Sequence, residues 1–342
     1  MPTLNYNQRM QNLRDRRFDR ENNSFQLSES YTKSLLPDNI KYLLESMRPI
    51  ADSYNAKTLE AARRVQEHLE RGFRLSFNRA YRTQGSVRTR TNIKVHSDFD
   101  LLTLINAYFY LAPGLPNPSP YIGDSDSDIE QLRTQAIRIL KDTYDEVDTT
   151  GKKSVSIFNK ALHRKVDVVF CWWYDTTDYR EKNDEYYRGI YLYDSIEKRK
   201  IMPADYPFAH LWNVNYKGDQ TNDGARRGIR LLKNLKADSD VEIDLSSFQL
   251  TSIVHAVDNQ KVYYTKGTEL KIAQAISDYL TILLFDSSVR KAVKSPNKTE
   301  YPLEDDKVVP EIKKLKSDLD QLIADCTNEF SNYFTNQAIL SY

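Results

Sequence analysis

Residues 85–102 read GSVRTRTNIKVHSDFDLL, a stretch that combines a Gly-Ser pair with two aspartates one residue apart. The pair follows a predicted strand, Phe77–Arg82, where a glycine lets the backbone approach a phosphate and the next residue can bond its oxygens. Asp98 and Asp100 stand at the start of a second predicted strand, Phe99–Asn106. Because side chains alternate along a strand, the two carboxylates share a face. Neighbouring carboxylates repel unless a cation lies between them, so they indicate a Mg²⁺ pair.

A third carboxylate would complete a site for two metal ions and take the proton from an attacking hydroxyl. The predicted strand Lys165–Tyr174 supplies one, because Asp167 is a single acid in an otherwise apolar run. Burying an unpaired carboxylate costs several kcal/mol, and a bound metal removes that cost. The alternative is an ion pair between Asp167 and Arg164 or Lys165.

The order of these elements resembles the signature of the polymerase-β-like nucleotidyltransferases. Gly85-Ser86 is followed by a spacer of about ten residues, by Asp98-x-Asp100, and later by Asp167 on a strand. The resemblance implies an α+β, bilobal nucleotidyltransferase fold, with a mixed β-sheet catalytic lobe, a helical lobe and a cleft between them. It also implies that the three aspartates hold two Mg²⁺ ions, for which Mn²⁺ can substitute, and that Gly85 and Ser86 bind the nucleotide's phosphates.

A second resemblance concerns residues 227–235, RGIRLLKNL, and residues 246–250, SSFQL. They look like the R-x-x-K helix and the serine-aromatic pair of the bacterial cGAS-like CD-NTases. By position, Lys233 and Ser247 would bind the donor triphosphate and Phe248 would lie against a base. Arg230, one helical turn before Lys233, could point into the same cleft. The alternative for both cations is a solvated helix face. Phe170 is a departure, because relatives often have proline there.

This family resemblance implies a cyclic oligonucleotide synthase in bacterial anti-phage signalling. Its substrates would be NTPs, ATP or GTP or both, and its cyclic product would act on a separate effector protein. One alternative is a template-independent nucleotidyltransferase that tails RNA or adenylylates another molecule. The other alternative is a nucleotide-binding module without catalytic activity, against which the presence of all three aspartates argues.

Composition narrows the function classes. The 342 residues carry 49 basic and 48 acidic side chains, a net charge of +1, which argues against a protein that coats duplex nucleic acid. The two cysteines, Cys171 and Cys326, are far apart, which fits a reducing cytoplasm and gives no zinc-ligand spacing. We therefore expect no activation by double-stranded DNA through a zinc-bearing loop. No apolar run approaches the length of a membrane span, and the N-terminus lacks the apolar core of a signal peptide, so we expect a soluble cytoplasmic protein.

Periodicity predicts three regions: a polar N-terminal arm over residues 1–35, a catalytic lobe over 36–215 and a helical lobe over 216–342. The arm is rich in Arg, Asn and Ser and is expected to be extended or loosely attached. Asp124, Asp126 and Asp128 have the spacing of a calcium loop but lack its glycine and its final glutamate. They are interpreted as the start of a helix that runs to about Asp142. The other predicted helices are Asp38 to about Pro49, 56–73, 225–236, 247–257, 268–285 and 307–334.

Overall fold

The computed structural model describes residues 4–19, 24–25, 36–95, 99–117 and 120–340. Its helices are α1 (Tyr6–Arg17), α2 (Asp38–Met47), α3 (Asp52–Gly72), α4 (Ser125–Thr143), α5 (Thr177–Lys182), α6 (Pro207–Gln220), α7 (Gly224–Asp238), α8 (Ser247–Ala256), α9 (Glu269–Phe285), α10 (Ser287–Lys291) and α11 (Val308–Leu340). Its strands are β1 (Phe18–Asp19), β2 (Ser24–Phe25), β3 (Arg79–Gln84), β4 (Asp100–Leu111), β5 (Glu146–Asp148), β6 (Ser154–Asn159), β7 (Arg164–Asp175), β8 (Gly189–Asp194) and β9 (Arg199–Lys200). None of the helices in these ranges is both long enough and apolar enough to cross a lipid bilayer.

The chain divides into two compact units. A helical unit comprises the described parts of residues 1–50, 90–95 and 213–342, and a sheet unit comprises those of residues 51–89 and 96–212. Residues 36–50 and 90–95 were expected in the catalytic lobe, whereas the structure groups them with the helices. α2 belongs to the helical unit because its apolar stripe packs into the same buried core as α7, α9 and α11.

The sheet unit is built on a mixed sheet with the strand order β3-β4-β7-β6-β5, in which β8 also pairs with β7. The strands β4 and β7 are parallel, whereas β3 with β4, β6 with β7 and β7 with β8 are antiparallel. The expected combination of a mixed β-sheet with helices is thereby confirmed. β4 continues to Leu111, five residues beyond the predicted end of that strand.

The two faces of the sheet differ. One face packs on α3 and α4 through apolar side chains that include Leu101, Val168 and Phe170. The opposite face carries a smaller buried cluster around Leu102, Leu104, Val169, Cys171 and Trp173. Because side chains alternate along a strand, Asp100 and Asp167 lie on this second face, away from α3 and α4. The strand pattern therefore leaves one face for a functional site.

The structure corrects the expectation of a loose N-terminal arm. Residues 6–17 form α1, which buries Met10 and Leu13 in the core of the helical unit. Arg9 forms an ion pair with Asp318 at 2.7 Å, and the remaining residues of the arm beyond 19, except 24–25, lie outside the described part of the chain. Composition predicted exposure because the sequence alone does not show which acidic residues neutralise the arginines of this helix.

The helix predicted after the three aspartates is confirmed. The side chain of Asp124 accepts hydrogen bonds from the N–H groups of Asp126 and Ser127, at 3.0 and 3.3 Å, and so caps the first turn of α4. A carboxylate in this position stabilises a helix N-terminus by satisfying N–H groups that have no partner within the helix. The calcium-loop spacing is thus explained by capping. α6, which begins at Pro207, was not predicted from the sequence.

Candidate active site

A row of polar side chains crosses four neighbouring strands on the face opposite α3 and α4. The register pairs Gln84 with Asp100, Asp100 with Asp167, and Asp167 with Ser156. Residues paired in this way point to the same side of a sheet with Cβ atoms about 4.5–5.5 Å apart. We call these four residues the acid row. Two carboxylates therefore lie side by side on β4 and β7, flanked by an amide on one side and a hydroxyl on the other.

Hydrogen bonds within the acid row fix the direction of both carboxylates. Gln84 Nε2 donates to Asp100 Oδ2 at 3.1 Å, and the Ser156 hydroxyl donates a short hydrogen bond to Asp167 Oδ1. Lys165 Nζ lies 3.5 Å from the same oxygen of Asp167. The Lys165 side chain is 42% exposed, so this contact is a weak, solvent-screened ion pair. It offsets only part of the charge of the row.

The alternative partner for Asp167, Arg164, is excluded. Arg164 is fully buried, and its guanidinium donates to Thr58 Oγ1 at 3.0 Å and to the carbonyls of Leu162 and His163. Arg164 stands three residues before Asp167 on β7, and this odd separation places the two side chains on opposite faces of the sheet. Of the two ion pairs considered from the sequence, only the contact with Lys165 is formed.

The donor set fits a divalent cation. Oxygen donors from neighbouring carboxylates are the ligands that Mg²⁺ prefers, and two adjacent carboxylates gain from a shared cation. Asp98, the third expected ligand, lies outside the described residues, as does its neighbour His96. Within the described ranges no three acidic, histidine or cysteine side chains converge as a metal cluster. The described part of the site therefore consists of Asp100 and Asp167.

The Gly-Ser pair directly follows Gln84, the member of the acid row on β3. Gly85 follows Gln84 with φ of +110°, a conformation that side-chain-bearing residues rarely adopt, which explains why a glycine stands there. Its carbonyl accepts a hydrogen bond from the N–H of Arg88 at 3.1 Å, and the carbonyl of Ser86 accepts one from Thr89 Oγ1 at 3.2 Å. A tight turn thus holds Ser86 just past the end of β3.

Arg230 does not occupy the position expected of a phosphate ligand. Its side chain is fully buried in the helical unit, and Nε, Nη1 and Nη2 donate to Met47 O, Arg90 O and Asp223 Oδ2 at 2.7, 2.6 and 2.7 Å. Burial lowers the pKa of Arg230 to about 10, against the opposing charge of Asp223. The solvated helix face is wrong because the side chain is fully buried, and the phosphate contact gains no support from the structure because all three nitrogens bind protein oxygens.

Lys233 is also buried, which excludes the solvated helix face. Its side chain is 9% exposed, and Nζ donates to the carbonyl of Thr91 at 3.2 Å. Burial, together with the nearby charge of Arg230, lowers the pKa of Lys233 to about 8. A lysine in this state gains from an anionic partner, because an opposite charge favours its protonated form. Its contact with a triphosphate remains a prediction.

Ser247 and Phe248 begin α8. The N-cap of this helix is Ser246, which forms a capping box with Gln249, so the hydroxyl of Ser247 is not used as the cap and its side chain is exposed. Phe248 is half-buried and lines a cavity of about 560 Å³ in the helical unit. The same cavity is also lined by polar and charged residues of both signs: Lys236, Gln249, Lys307, Asp244, Glu300, Asp305 and Glu311.

Comparison with known proteins identifies the family. The chain is 32% identical over 312 residues to "Cyclic dinucleotide synthase CdnE" of Yersinia aleksiciae, covering 89% of this chain and 81% of that protein. The chain belongs to the cGAS-like CD-NTases. It is also 30% identical over 318 residues to a c-di-GMP synthase of Flavobacteriaceae sp. genome_bin_11, covering 84% of this chain and 85% of that protein. No family model matches the chain.

The fold of a solved CD-NTase agrees with this assignment. The structure of a STING-associated CdnE c-di-GMP synthase from Flavobacteriaceae sp. superposes with a TM-score of 0.84 and 26% identity, covering 96% of this chain and 100% of that one. The chain is thus a nucleotidyltransferase that synthesises cyclic oligonucleotides, which confirms the family, fold and enzyme class expected from the sequence. The inactive module and the RNA-tailing enzyme are set aside.

Two members of the acid row of this CD-NTase were missed from the sequence. Ser156 belongs to β6, in which polar and apolar residues alternate (S-V-S-I), a signal that one face of that strand is polar. Gln84 directly precedes the Gly-Ser pair. Neither could be placed beside an aspartate without the strand register, which depends on contacts between residues distant in sequence.

Proposed function

We propose that this CD-NTase makes c-di-GMP from two molecules of GTP, with divalent metal ions held at the acid row. The observation that carries the metal-dependent chemistry is the register of β4 on β7, which sets Asp100 beside Asp167 on one face of the sheet. The product is proposed from similarity, because a 30% identical relative and a structural neighbour are both described as c-di-GMP synthases.

We assign Asp98, Asp100 and Asp167 to the metal ions. Bound Mg²⁺, two ions, or Mn²⁺ in their place, would offset the charge of the triphosphate and lower the pKa of the attacking ribose hydroxyl. The Asp167 carboxylate, which Ser156 and Lys165 orient, accepts the hydroxyl proton. The ribose oxygen then bonds to the α-phosphorus of the donor, the bond to the β-phosphate oxygen breaks, and pyrophosphate leaves. A second such transfer within the linear intermediate closes the ring.

Further residues are assigned to the phosphates and bases by the family resemblance. The turn at Gly85 and Ser86 offers a backbone N–H and a hydroxyl to the triphosphate. Lys233, whose protonation an anion would favour, and the exposed Ser247 are assigned to the donor triphosphate as well. Phe248 is assigned to a base, since stacking on an aromatic ring is worth about 1–3 kcal/mol. Arg230 has no place in this set.

The biological setting also comes from the relatives. The structural neighbour is described as STING-associated, and we propose that the cyclic product of this chain acts on a separate effector of that kind, in anti-phage signalling. NTPs are cytoplasmic metabolites, and Cys171 and Cys326 are both free and buried, which supports a cytoplasmic location.

The product assay uses each NTP alone and in pairs, with Mg²⁺ or Mn²⁺, followed by phosphatase treatment and mass spectrometry. We expect a phosphatase-resistant product from GTP alone, with the mass and retention of c-di-GMP. A phosphatase-resistant product that forms only when a second nucleotide is present would overturn the assignment of GTP as the sole substrate. It would still support cyclisation. A ladder of phosphatase-sensitive chains would overturn cyclisation itself.

A further inference from the structure

An ion pair in the sheet unit stands on the same face as the acid row. Arg82 precedes Gln84 by two residues on β3, about 7 Å along the strand, and pairs with Leu102 of β4. Its side chain therefore lies on the face that carries the two aspartates. Arg82 donates through Nε to Glu185 Oε2 at 2.8 Å and through Nη2, by a short hydrogen bond, to Glu185 Oε1. One guanidinium thus fixes both oxygens of this carboxylate.

The ion pair leaves Glu185 able to accept further hydrogen bonds. The remaining nitrogen of Arg82, Nη1, donates to the carbonyl of Tyr81 at 2.8 Å, so each nitrogen of the guanidinium has a protein acceptor. An ionised carboxylate has about four acceptor positions, and the arginine fork occupies two of them. The Glu185 side chain is 36% exposed, so its other acceptor positions can meet a ligand.

Two aromatic rings adjoin this carboxylate. Tyr186 directly follows Glu185 and contacts the ring of Trp212 edge-on, at a centroid distance of 5.4 Å. Trp212 lies one turn after Phe208 on α6, and Phe208 packs on Trp173 in the buried cluster of the same sheet face. Trp212 is 52% exposed, although tryptophan is highly buried on average. An exposed ring of this kind offers a stacking surface for a base.

The chemistry of this carboxylate matches guanine. The Watson–Crick edge of guanine carries two adjacent donors, N1–H and the N2 amino group, which the two oxygens of a carboxylate can accept as charge-assisted hydrogen bonds. Adenine has an acceptor at N1, which a carboxylate repels. Sites that hydrogen-bond a substrate group strongly reject an analogue that lacks it. A carboxylate held in one orientation therefore favours GTP over ATP.

We propose that Glu185 recognises the Watson–Crick edge of a guanine base, with Arg82 as a positioning residue and Trp212 as a stacking surface. This inference rests on the proposed synthesis of c-di-GMP from GTP and names the side chains that select the base. Arg82 contacts no nucleotide, because its nitrogens already bind protein oxygens. ITP isolates the contact, since its base retains N1–H and lacks only the N2 amino group.

The test measures the Kd for GTP and for ITP by calorimetry without divalent metal, so that no product forms, and then kcat/KM for each nucleotide with Mg²⁺. We expect the wild type to prefer GTP by about tenfold or more in both measurements, the effect of one charge-assisted hydrogen bond. Glu185→Gln should reduce the preference to within about threefold, because the amide NH₂ cannot accept from the N2 amino group. Arg82→Lys keeps the charge and loses the fork, so its preference should be intermediate.

Glu70 is the matched control. An arginine of the same strand also holds both of its oxygens, since Arg79 Nε and Nη2 donate to Glu70 Oε1 and Oε2 at 2.9 and 3.0 Å. Arg79 is three residues before Arg82 and so lies on the opposite face of β3. Glu70→Gln should therefore keep the wild-type preference for GTP.

Three results would overturn the role of Glu185: a wild type that does not distinguish GTP from ITP, an unchanged preference in Glu185→Gln, or an equal loss in Glu70→Gln. Failure of the proposed function looks different. A wild type that prefers GTP in binding but forms no cyclic product would refute the synthase, whereas loss of that binding preference in Glu185→Gln would still support guanine recognition.

Discussion

Replacing Lys233 with methionine should weaken nucleotide binding without weakening the fold, a combination that a structural lysine would not show. The buried lysine has its pKa lowered from 10.5 to about 8, a difference of about 2.5 pH units. At about 1.36 kcal/mol per pKa unit, the charged side chain costs the folded state about 3 kcal/mol at neutral pH. Methionine is unbranched and of similar length, and it removes this cost.

The loss of the hydrogen bond offsets part of that gain. The carbonyl of Thr91 loses its donor at 3.2 Å, which costs about 1–3 kcal/mol for a buried acceptor. We therefore expect the free energy of unfolding of Lys233→Met to lie between that of the wild type and about 2 kcal/mol above it. The wild type should gain stability between pH 8 and 10.5, where the unfolded state alone binds this proton, and the variant should lack that rise.

Nucleotide affinity, unlike stability, should fall in Lys233→Met. Loss of one charge-assisted contact with a triphosphate removes about 1.5–3 kcal/mol, or about 10- to 150-fold in Kd. Urea denaturation and calorimetry with a non-hydrolysable GTP analogue measure the two effects on the same protein. A variant destabilised by more than about 1 kcal/mol with an unchanged Kd would refute the phosphate role and the reasoning about its charge.

Lys217 is the matched control. It has the same 9% exposure, burial also lowers its pKa to about 8, and it donates to Val257 O and Asn259 Oδ1 at 2.6 and 2.7 Å. Lys217→Met should lose the same pH-dependent rise in stability. Its nucleotide affinity should stay at the wild-type value, because no phosphate contact is assigned to it.

Three further predictions concern the same site. Replacing both Asp98 and Asp100 with asparagine should lower product formation by orders of magnitude while the circular dichroism spectrum stays unchanged; wild-type turnover would end the metal assignment. Gly85→Ala should weaken GTP affinity, because φ of +110° strains alanine by about 1–3 kcal/mol, and an unchanged affinity by calorimetry would place the triphosphate elsewhere. In the wild type, the affinity for GTP should fall as the pH rises above about 8, where Lys233 loses its proton, whereas the affinity of Lys233→Met should not follow this trend.

The sequence predicted the features that depend on local pattern. The strand assignment of Asp100 and Asp167 follows from apolar runs, and the cap at Asp124 follows from acidic residues before a helix. The sequence does not show which distant segments pair. The acid row needs the register of β4 on β7, in which Asp100 and Asp167 are 67 residues apart. That register comes from tertiary packing, which no local periodicity encodes.

The predictions that were wrong failed for the same reason, because the sequence does not show contacts between distant segments. Arg230 and the arginines of α1 were expected to face solvent or ligand, because single charged residues on helices usually do. In the structure, Arg230 is bonded to Met47, Arg90 and Asp223, and Arg17 is bonded to Glu45 and Arg48. Buried arginines are tolerated only where such acceptors converge, and the sequence does not show where that happens.

The most direct measurement compares the initial rate of phosphatase-resistant product formation from GTP and Mg²⁺ in the wild type, in Asp167→Asn and in Asp145→Asn. Both substitutions exchange a carboxylate for an amide, but Asp167 lies in the acid row and Asp145 is an exposed residue that forms a surface ion pair with Lys160. We expect Asp145→Asn to match the wild type and Asp167→Asn to lose product formation by orders of magnitude while remaining folded. Cyclic product formed by folded Asp167→Asn at the wild-type rate would contradict the assignment of the acid row as the catalytic centre.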